Sequence, residues 1–259
     1  MDIRNYVGEN IRIKLNQKLN QKQVMLFELV FFGVFIVLLM IYTLFMQKYS
    51  WIGDAIITSF IILFFYMVRN VLKITPLLFS ILIFAMMIHN LGVFGFYSEE
   101  FFGLTFDHYT HFLGNFALSL IFFNWFCSFS NMKNKIISLC ILTMFFTLGI
   151  GAMHETIEFL GYVYLEADFA NMLYPGNAPL ALLAQNEINN SMDYFNTMID
   201  IIYNAVGALA GCVVMSTTIL LKSDFSTSVF TGGQVEKSGL KKTDPSRRAR
   251  MPPVYSHGH

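Results

Sequence analysis

The sequence contains six apolar runs of about the length that crosses a lipid bilayer as an α-helix. Such a helix needs about 20 mainly apolar residues, because every backbone polar group must be satisfied within the segment itself. The runs cover residues 24–46, 52–68, 75–97, 106–129, 136–165 and 193–221, and the second is the shortest. They predict an all-α, polytopic transmembrane helix bundle with six spans.

The composition agrees with a membrane protein and excludes several other classes. Only 13% of the residues are charged, against about 25% in an ordinary soluble domain. Seventeen Lys and Arg balance seventeen Asp and Glu, so nothing predicts a nucleic-acid partner. The three cysteines lie in apolar runs, which argues against disulfides. No Gly-rich phosphate loop and no Gly-x-Ser-x-Gly elbow appears, so neither a nucleotide cofactor nor serine-hydrolase chemistry is expected.

The distribution of Lys and Arg predicts how the chain is oriented. These residues occur before span one, after spans two and four, and after span six, whereas acidic residues dominate the other connections. By the positive-inside rule, both termini are cytoplasmic in a multi-pass protein, which we place in the plasma (inner) membrane. The predicted organisation is a cytoplasmic segment 1–22, a transmembrane domain 23–221 and a basic, disordered tail 222–259. The long outer loop 166–192 is either flexible or lies against the membrane or the spans.

Many polar residues lie inside the last four predicted spans. Ionisable groups are costly there and usually mark a pathway, a relay or a bound ion. In the predicted orientation all of them lie in the outer leaflet, and at about 100° per residue each span keeps its set on one face. We therefore expect the helices to converge on one water-accessible, acidic, histidine-lined cavity. Its predicted members are His89, Asn90, Asp107, His108, His111, Asn115, His154, Glu155, Glu158, Asp193, Asn196, Asp200 and Asn204.

Close helix packing is predicted beside this cavity. Gly207 and Gly211 form a G-x-x-x-G pair, which lets two membrane helices approach with little between their backbones. We expect span six to pack closely against a neighbour at this point.

The preferred function for the cavity is a metal-dependent enzyme acting on an envelope lipid or another membrane-embedded substrate. Imidazole and carboxylate groups suit zinc, iron or manganese, and pairs spaced by four residues put two ligands on one helix face. In this hypothesis Asp107, Glu155 and Asp193 orient the ligands or act as a general base, and Asn204 supports them. The predicted ligands are His111, His154, Glu158 and Asp200; the cavity is completed by His89, His108, Asn115, Asn196 and Asn204.

Two other functions stay open at this point. A proton-coupled carrier of a small solute or lipid would use Asp200 and Glu158 as titrating groups and needs no coordination geometry. A structural subunit of a larger membrane complex would use the same groups as a satisfied polar network. The partners expected in all three cases are membrane lipids, with other membrane proteins or a second copy of the chain as further candidates.

Three motifs in order resemble the YjdF-type family of small bacterial inner-membrane proteins and, more distantly, VanZ-like membrane proteins. They are the run from Phe106 to Phe112, the run from His154 to Phe159, and the run from Asp193 to Asp200 followed by Asn204 and Gly207. The resemblance implies a multi-span α-helical membrane protein and no particular activity. It implies family positions for Asp107, His111, Glu155, Glu158, Asp193, Asp200, Asn204 and Gly207. His108 and His154 lie outside the family pattern, and these two additional histidines favour a metal.

Overall fold

The computed structural model describes residues 3–47, 51–92, 96, 99–129, 135–164 and 187–221, with six helices and one short hairpin among them. The helices are α1 (Ile3–Phe45), α2 (Trp51–Val68), α3 (Pro76–Gly92), α4 (Phe106–Cys127), α5 (Ile136–Tyr164) and α6 (Glu187–Leu220). Strands β1 (Glu100–Phe101) and β2 (Leu104–Thr105) pair antiparallel just before α4. The prediction of an all-α bundle is confirmed, with this hairpin as a small addition.

One predicted boundary differs from the structure. Helix α3 is described over Pro76–Gly92, and the predicted end of its span at residue 97 lies outside the described residues. Helix α6 begins at Glu187, inside the segment 166–192 that was predicted to be a loop. Residues 187–192 contain neither Gly nor Pro, so nothing local stops the helix from starting early. The rest of that loop and the tail after 221 lie outside the described residues.

The helix surfaces are those of a membrane protein. Three segments are long and apolar enough to cross a bilayer, namely Leu19–Phe45, Ile136–Ile157 and Thr197–Leu220, and α2 and α3 are shorter apolar helices. Large side chains such as Phe27, Phe60 and Phe145 are exposed on the outside of the bundle, where lipid solvates them. The count of six spans and the cytoplasmic position of both termini stay predictions.

Helix α4 lies at the centre of the bundle. It packs against α3, α5 and most extensively α6, while α1 packs against α2 and α3. The α4–α6 contact is close because a Cβ on Gly207 would lie against the Phe112 carbonyl oxygen, and one on Gly211 against the Ser119 hydroxyl. The predicted G-x-x-x-G contact is confirmed, and its neighbour is α4.

Candidate functional site

His111 on α4 lies at the centre of a buried cluster of carboxylates. Its Nε2 atom is 3.6 Å from Asp107 Oδ1 and 3.8 Å from Asp200 Oδ1. Its Nδ1 atom is 3.3 Å from Glu155 Oε1 and 3.3 Å from Asn204 Oδ1. Asp107 is one turn before His111 on the same helix, whereas Glu155 comes from α5 and Asp200 and Asn204 come from α6. Three helices therefore meet at one imidazole.

The partners of His111 indicate which nitrogen carries the proton. Both atoms near Nδ1 are hydrogen-bond acceptors, so Nδ1–H is the donor on that side. A neutral imidazole then has its lone pair on Nε2, and this lone pair faces the two aspartates. The ligand atoms of Asp107, His111 and Asp200 all lie within 4.8 Å of one another, a grouping suited to a metal ion.

His108 forms one wall beside Asp200. Its Nδ1 atom is 2.9 Å from the Thr105 hydroxyl, and its ring stacks on Tyr203 with centroids 4.7 Å apart. Its Nε2 atom is 3.9 Å from Asp200 Oδ1, too far for a hydrogen bond. The hairpin thus fixes the His108 ring through Thr105, and the ring shields Asp200.

A pair of amides closes the inner side of the cluster. Asn115 Nδ2 donates a hydrogen bond to Asn204 Oδ1, the same oxygen that faces His111 Nδ1. Gly151 on α5 makes room for the pair, because a Cβ there would lie 3.0 Å from Asn204 Nδ2 and 3.4 Å from Asn115 Oδ1. The amides therefore connect α4 with α6 and, through this glycine, with α5.

The structure adds a residue that sequence reasoning missed. Asp54, buried near the start of α2, has its Oδ1 atom 3.1 Å from His89 Nε2. The polar side chains at this end of the bundle therefore include one from α2, besides the predicted members in the last four spans. Asp54 lies near the start of the second predicted span, 52–68, and was weighed only as one of the acidic residues next to the connection before that span. Asp54 lies at the same end of the predicted spans as the other polar groups, and this shared position could have identified it from the sequence.

His154 lies between the Asp54–His89 pair and the cluster around His111. The His154 ring lies between the others, with its centroid 5.7 Å from that of His111 and 6.4 Å from that of His89. Among the side chains of the carboxylate–histidine pairs, Asp107 and His89 are the most accessible, at 29% and 24% exposure, whereas Asp200 is at 3%. The cluster is reached from its Asp107 end, and its inner members are buried rather than open to a wide cavity.

Most of the predicted site residues do come together. The described side chains at this one end of the bundle are Asp54, His89, Asp107, His108, His111, Asn115, His154, Glu155, Asp200 and Asn204. Glu158, Asp193 and Asn196 lie on α5 and α6, but their side chains are outside the described part of the chain. The described ligand group contains His111 and Asp200 of the predicted set and adds Asp107. Every ion pair between described side chains joins a carboxylate to a histidine.

Among the comparisons with known proteins, a family model gave a match. Neither the curated proteins nor the solved structures compared with this chain gave a match. One family model matches residues 27–220, and its description is "Predicted membrane protein (DUF2238)". The match includes all the site residues named above and supports a membrane protein family, while the resemblance to YjdF-type and VanZ-like proteins stays a prediction. The chain belongs to the predicted membrane protein family DUF2238.

Proposed function

We propose that this protein is a metal-dependent membrane enzyme that acts on an envelope lipid or another membrane-embedded substrate. One observation carries the proposal: the Nε2 atom of His111 faces carboxylate oxygens from two different helices, at 3.6 Å on Asp107 and 3.8 Å on Asp200. Zinc, iron and manganese all accept such a set of nitrogen and oxygen ligands.

The distances favour an ion over direct hydrogen bonds. A hydrogen bond between an imidazole and a carboxylate spans about 2.7 to 3.2 Å. The Nε2 distances of 3.6 and 3.8 Å are well beyond this range, whereas the Nδ1 distances of 3.3 Å lie close to its upper end. Two ligands bound to one ion at about 2.0 to 2.2 Å are separated by about 3.0 to 3.6 Å, depending on the coordination geometry. The 3.6 Å separation from Asp107 lies at the upper edge of that range, and the 3.8 Å separation from Asp200 needs to shorten by about 0.2 Å to meet it.

The surroundings of His111 have the features of a metal ligand. A histidine that binds a metal usually donates its other N–H to a carboxylate or carbonyl, which fixes the ring and makes the ligand more basic. Glu155 and Asn204 are in position for this role, both at 3.3 Å from Nδ1. In this proposal Asp107 changes from an orienting group to a ligand, and Glu155 remains an orienting group.

Three protein ligands leave coordination positions for water and substrate, as catalytic sites require. The more accessible Asp107 side of the cluster is the side from which a lipid headgroup would approach. A divalent ion at this place would polarise an ester or phosphoester and make a water molecule more acidic. His154 and His89 lie next to this side and are suited to hold or receive a proton during hydrolysis.

Metal content tests the proposal directly. The full-length protein, without affinity tags and with the two tail histidines His257 and His259 replaced, is purified in detergent and analysed for metals. We expect near-stoichiometric zinc, iron or manganese in the parent protein, and its loss in His111→Ala and Asp200→Asn. His89→Ala is the matched control, because it removes an imidazole at the same end that is outside the described ligand group, and it should retain the metal.

The same samples separate the proposal from its two rivals. A proton-coupled carrier would lose activity in Asp200→Asn without holding metal in the parent protein, and a structural subunit would tolerate single charge removals and co-purify with partners. For the enzyme, vesicles that contain a fluorogenic phospholipid should show hydrolysis that a chelator stops and zinc restores. A folded parent protein with no metal above background would overturn the proposal.

A further inference from the structure

The hairpin before α4 has a strained residue at its tip. Phe101 pairs with Leu104, so Phe102 and Gly103 form a two-residue turn, with positive φ angles of 55° and 79°. Positive φ at both central positions is typical of a type I′ turn, for which Asn-Gly is the common sequence. A bulky residue rarely adopts a positive φ, and strain of this kind points to a function for the residue.

The same residue is fully exposed and belongs to a larger aromatic patch. Among the described residues no large apolar side chain is more exposed than Phe102, at 101% of its reference area, and Phe96 and Phe101 are about two fifths exposed. The Phe106 ring connects the last two, with centroid distances of 5.7 and 6.2 Å. These four phenylalanines form the aromatic patch. An exposed apolar patch of this kind marks contact with a membrane or with a protein.

Side-chain hydrogen bonds fix the hairpin to α4. The Tyr109 hydroxyl donates to the Phe101 carbonyl at 2.7 Å, which holds strand β1. The Thr105 hydroxyl in strand β2 is 2.9 Å from His108 Nδ1, and His108 is a wall of the candidate site. The tip is therefore presented in a fixed position, and the hairpin is in direct contact with the site.

The dimensions of α4 place the hairpin near the lipid headgroups. The 22 residues of α4 are about 33 Å long, close to the roughly 30 Å hydrocarbon thickness of a bilayer. This helix packs against α5 and α6, which contain two of the segments that can cross a bilayer. The hairpin ends where α4 begins, and three residues at about 3.4 Å each keep its tip within about 10 Å of that point. Since the headgroup layer is about 5 to 8 Å thick, phospholipid is the partner within reach of the tip.

We propose that the aromatic patch is a membrane anchor: Phe102 inserts between phospholipid molecules at the site end of the bundle and holds the accessible Asp107 side at the headgroup level. Aromatic side chains are common at this level of membrane proteins. Glu99 and Glu100 at the base of the hairpin are exposed, and their charges favour the aqueous side. Insertion removes the exposed ring from water, which accounts for a phenylalanine at a position that suits asparagine. The inference goes beyond the proposed function, because an anchor needs no metal.

Fluorescence quenching tests this inference. Phe102→Trp is made in the full-length protein together with Trp51→Phe and Trp125→Phe, so that it supplies the single tryptophan. The protein is reconstituted in phosphatidylcholine nanodiscs, which leave both membrane faces open to water. We expect quenching by a lipid that carries a nitroxide near the headgroup end of its acyl chain, and an emission maximum shifted to the blue of tryptophan in water. Quenching by iodide should be several-fold weaker than in Glu99→Trp, the matched control at the exposed base of the same hairpin.

A second pair of variants tests the Phe102 ring itself. Phe101→Trp, in the same tryptophan-free background, places the fluorophore next to the tip, and it is combined either with the native Phe102 or with Phe102→Asn. Asparagine adopts the positive φ of this turn more readily than phenylalanine, so the hairpin should keep its fold. The nitroxide lipid should quench Phe101→Trp several-fold less when Phe102→Asn is present, because the hairpin has then lost its apolar tip.

Three results would overturn the inference. Iodide quenching of Phe102→Trp equal to that of Glu99→Trp would place the tip in water, and protection from both quenchers would place it against protein. Nitroxide quenching of Phe101→Trp that Phe102→Asn leaves unchanged would show that the ring does not anchor the hairpin. None of these measurements depends on a bound metal, so a failure of the anchor is distinguishable from a failure of the proposed metal site.

Discussion

Replacing Gly207 by alanine should separate α6 from α4 and disrupt the site above. A Cβ at Gly207 would lie 3.0 Å from the Phe112 carbonyl carbon and 3.1 Å from its Cα, and closer still to the carbonyl oxygen. These are backbone atoms, so no side-chain rotation relieves the contact and α6 must retreat. Because Asp200 and Asn204 are on α6, their contacts with His111 should lengthen as well.

The magnitude follows from comparison with a second glycine. A Cβ added to Gly114 on α4 would have no neighbour within 4 Å, so Gly114→Ala gains only helix propensity, about 0.8 to 1 kcal/mol. Gly207→Ala gains the same propensity but loses about 1 to 3 kcal/mol through overpacking. The difference in unfolding free energy between the two variants should therefore be about 1 to 3 kcal/mol, with Gly207→Ala the less stable.

Reversible unfolding in mixed lipid–detergent micelles, titrated with a denaturing detergent, measures this difference. Gly211→Ala should fall between the two variants, because its closest contact is the Ser119 hydroxyl, which can rotate away. Equal stability of Gly207→Ala and Gly114→Ala would refute the reasoning, since it would mean that the two helix backbones are not in contact at this point.

Three further predictions concern the site itself. Glu155→Gln should weaken metal binding about 10- to 100-fold, as loss of a group that orients a ligand usually does. Titration against a chelator of known affinity measures the change, and an unchanged affinity would show that Glu155 does not orient His111. Acidifying the buffer should release the metal, because imidazole and carboxylate ligands bind it only when deprotonated. Metal content after dialysis at a series of pH values measures the release. A metal retained equally at all pH values would contradict its binding by His111 and the aspartates. Asp54→Asn should lower the unfolding free energy by about 1 to 2 kcal/mol, since a charge-assisted hydrogen bond to His89 becomes a neutral one. The metal content of this variant should equal that of the parent, and loss of the metal would place Asp54 in the metal site.

The sequence was sufficient to locate the site but not to arrange it. Periodicity placed Asp107 and His111 on one face of α4 and Asp200 and Asn204 on one face of α6, and the structure has both sets facing each other. The spacing of Gly207 and Gly211 predicted close packing, although not that α4 is the neighbour. These features depend on single helices, whose geometry is regular.

What the sequence could not supply depends on how the helices rotate against one another. The Nδ1 atom of His111 faces Glu155 and Asn204 while Nε2 faces the two aspartates, an arrangement that involves α4, α5 and α6 together. Asp54 was missed for a related reason, because one carboxylate near a helix start resembles a connection residue until its partner His89 is seen. The helical start of the segment before residue 193 was missed because residues 187–192 are mostly polar, and an apolar run marks only the part of a helix that lies in lipid.

X-ray absorption spectroscopy of the purified, metal-loaded protein, with the tail histidines replaced, tests the central claim most directly. The account predicts a first coordination shell of nitrogen and oxygen at about 2.0 to 2.2 Å, with one imidazole contribution, and no such metal shell in His111→Ala, which should not hold the metal. A shell containing sulfur, or an imidazole signal that His111→Ala leaves unchanged, would contradict a metal held by Asp107, His111 and Asp200.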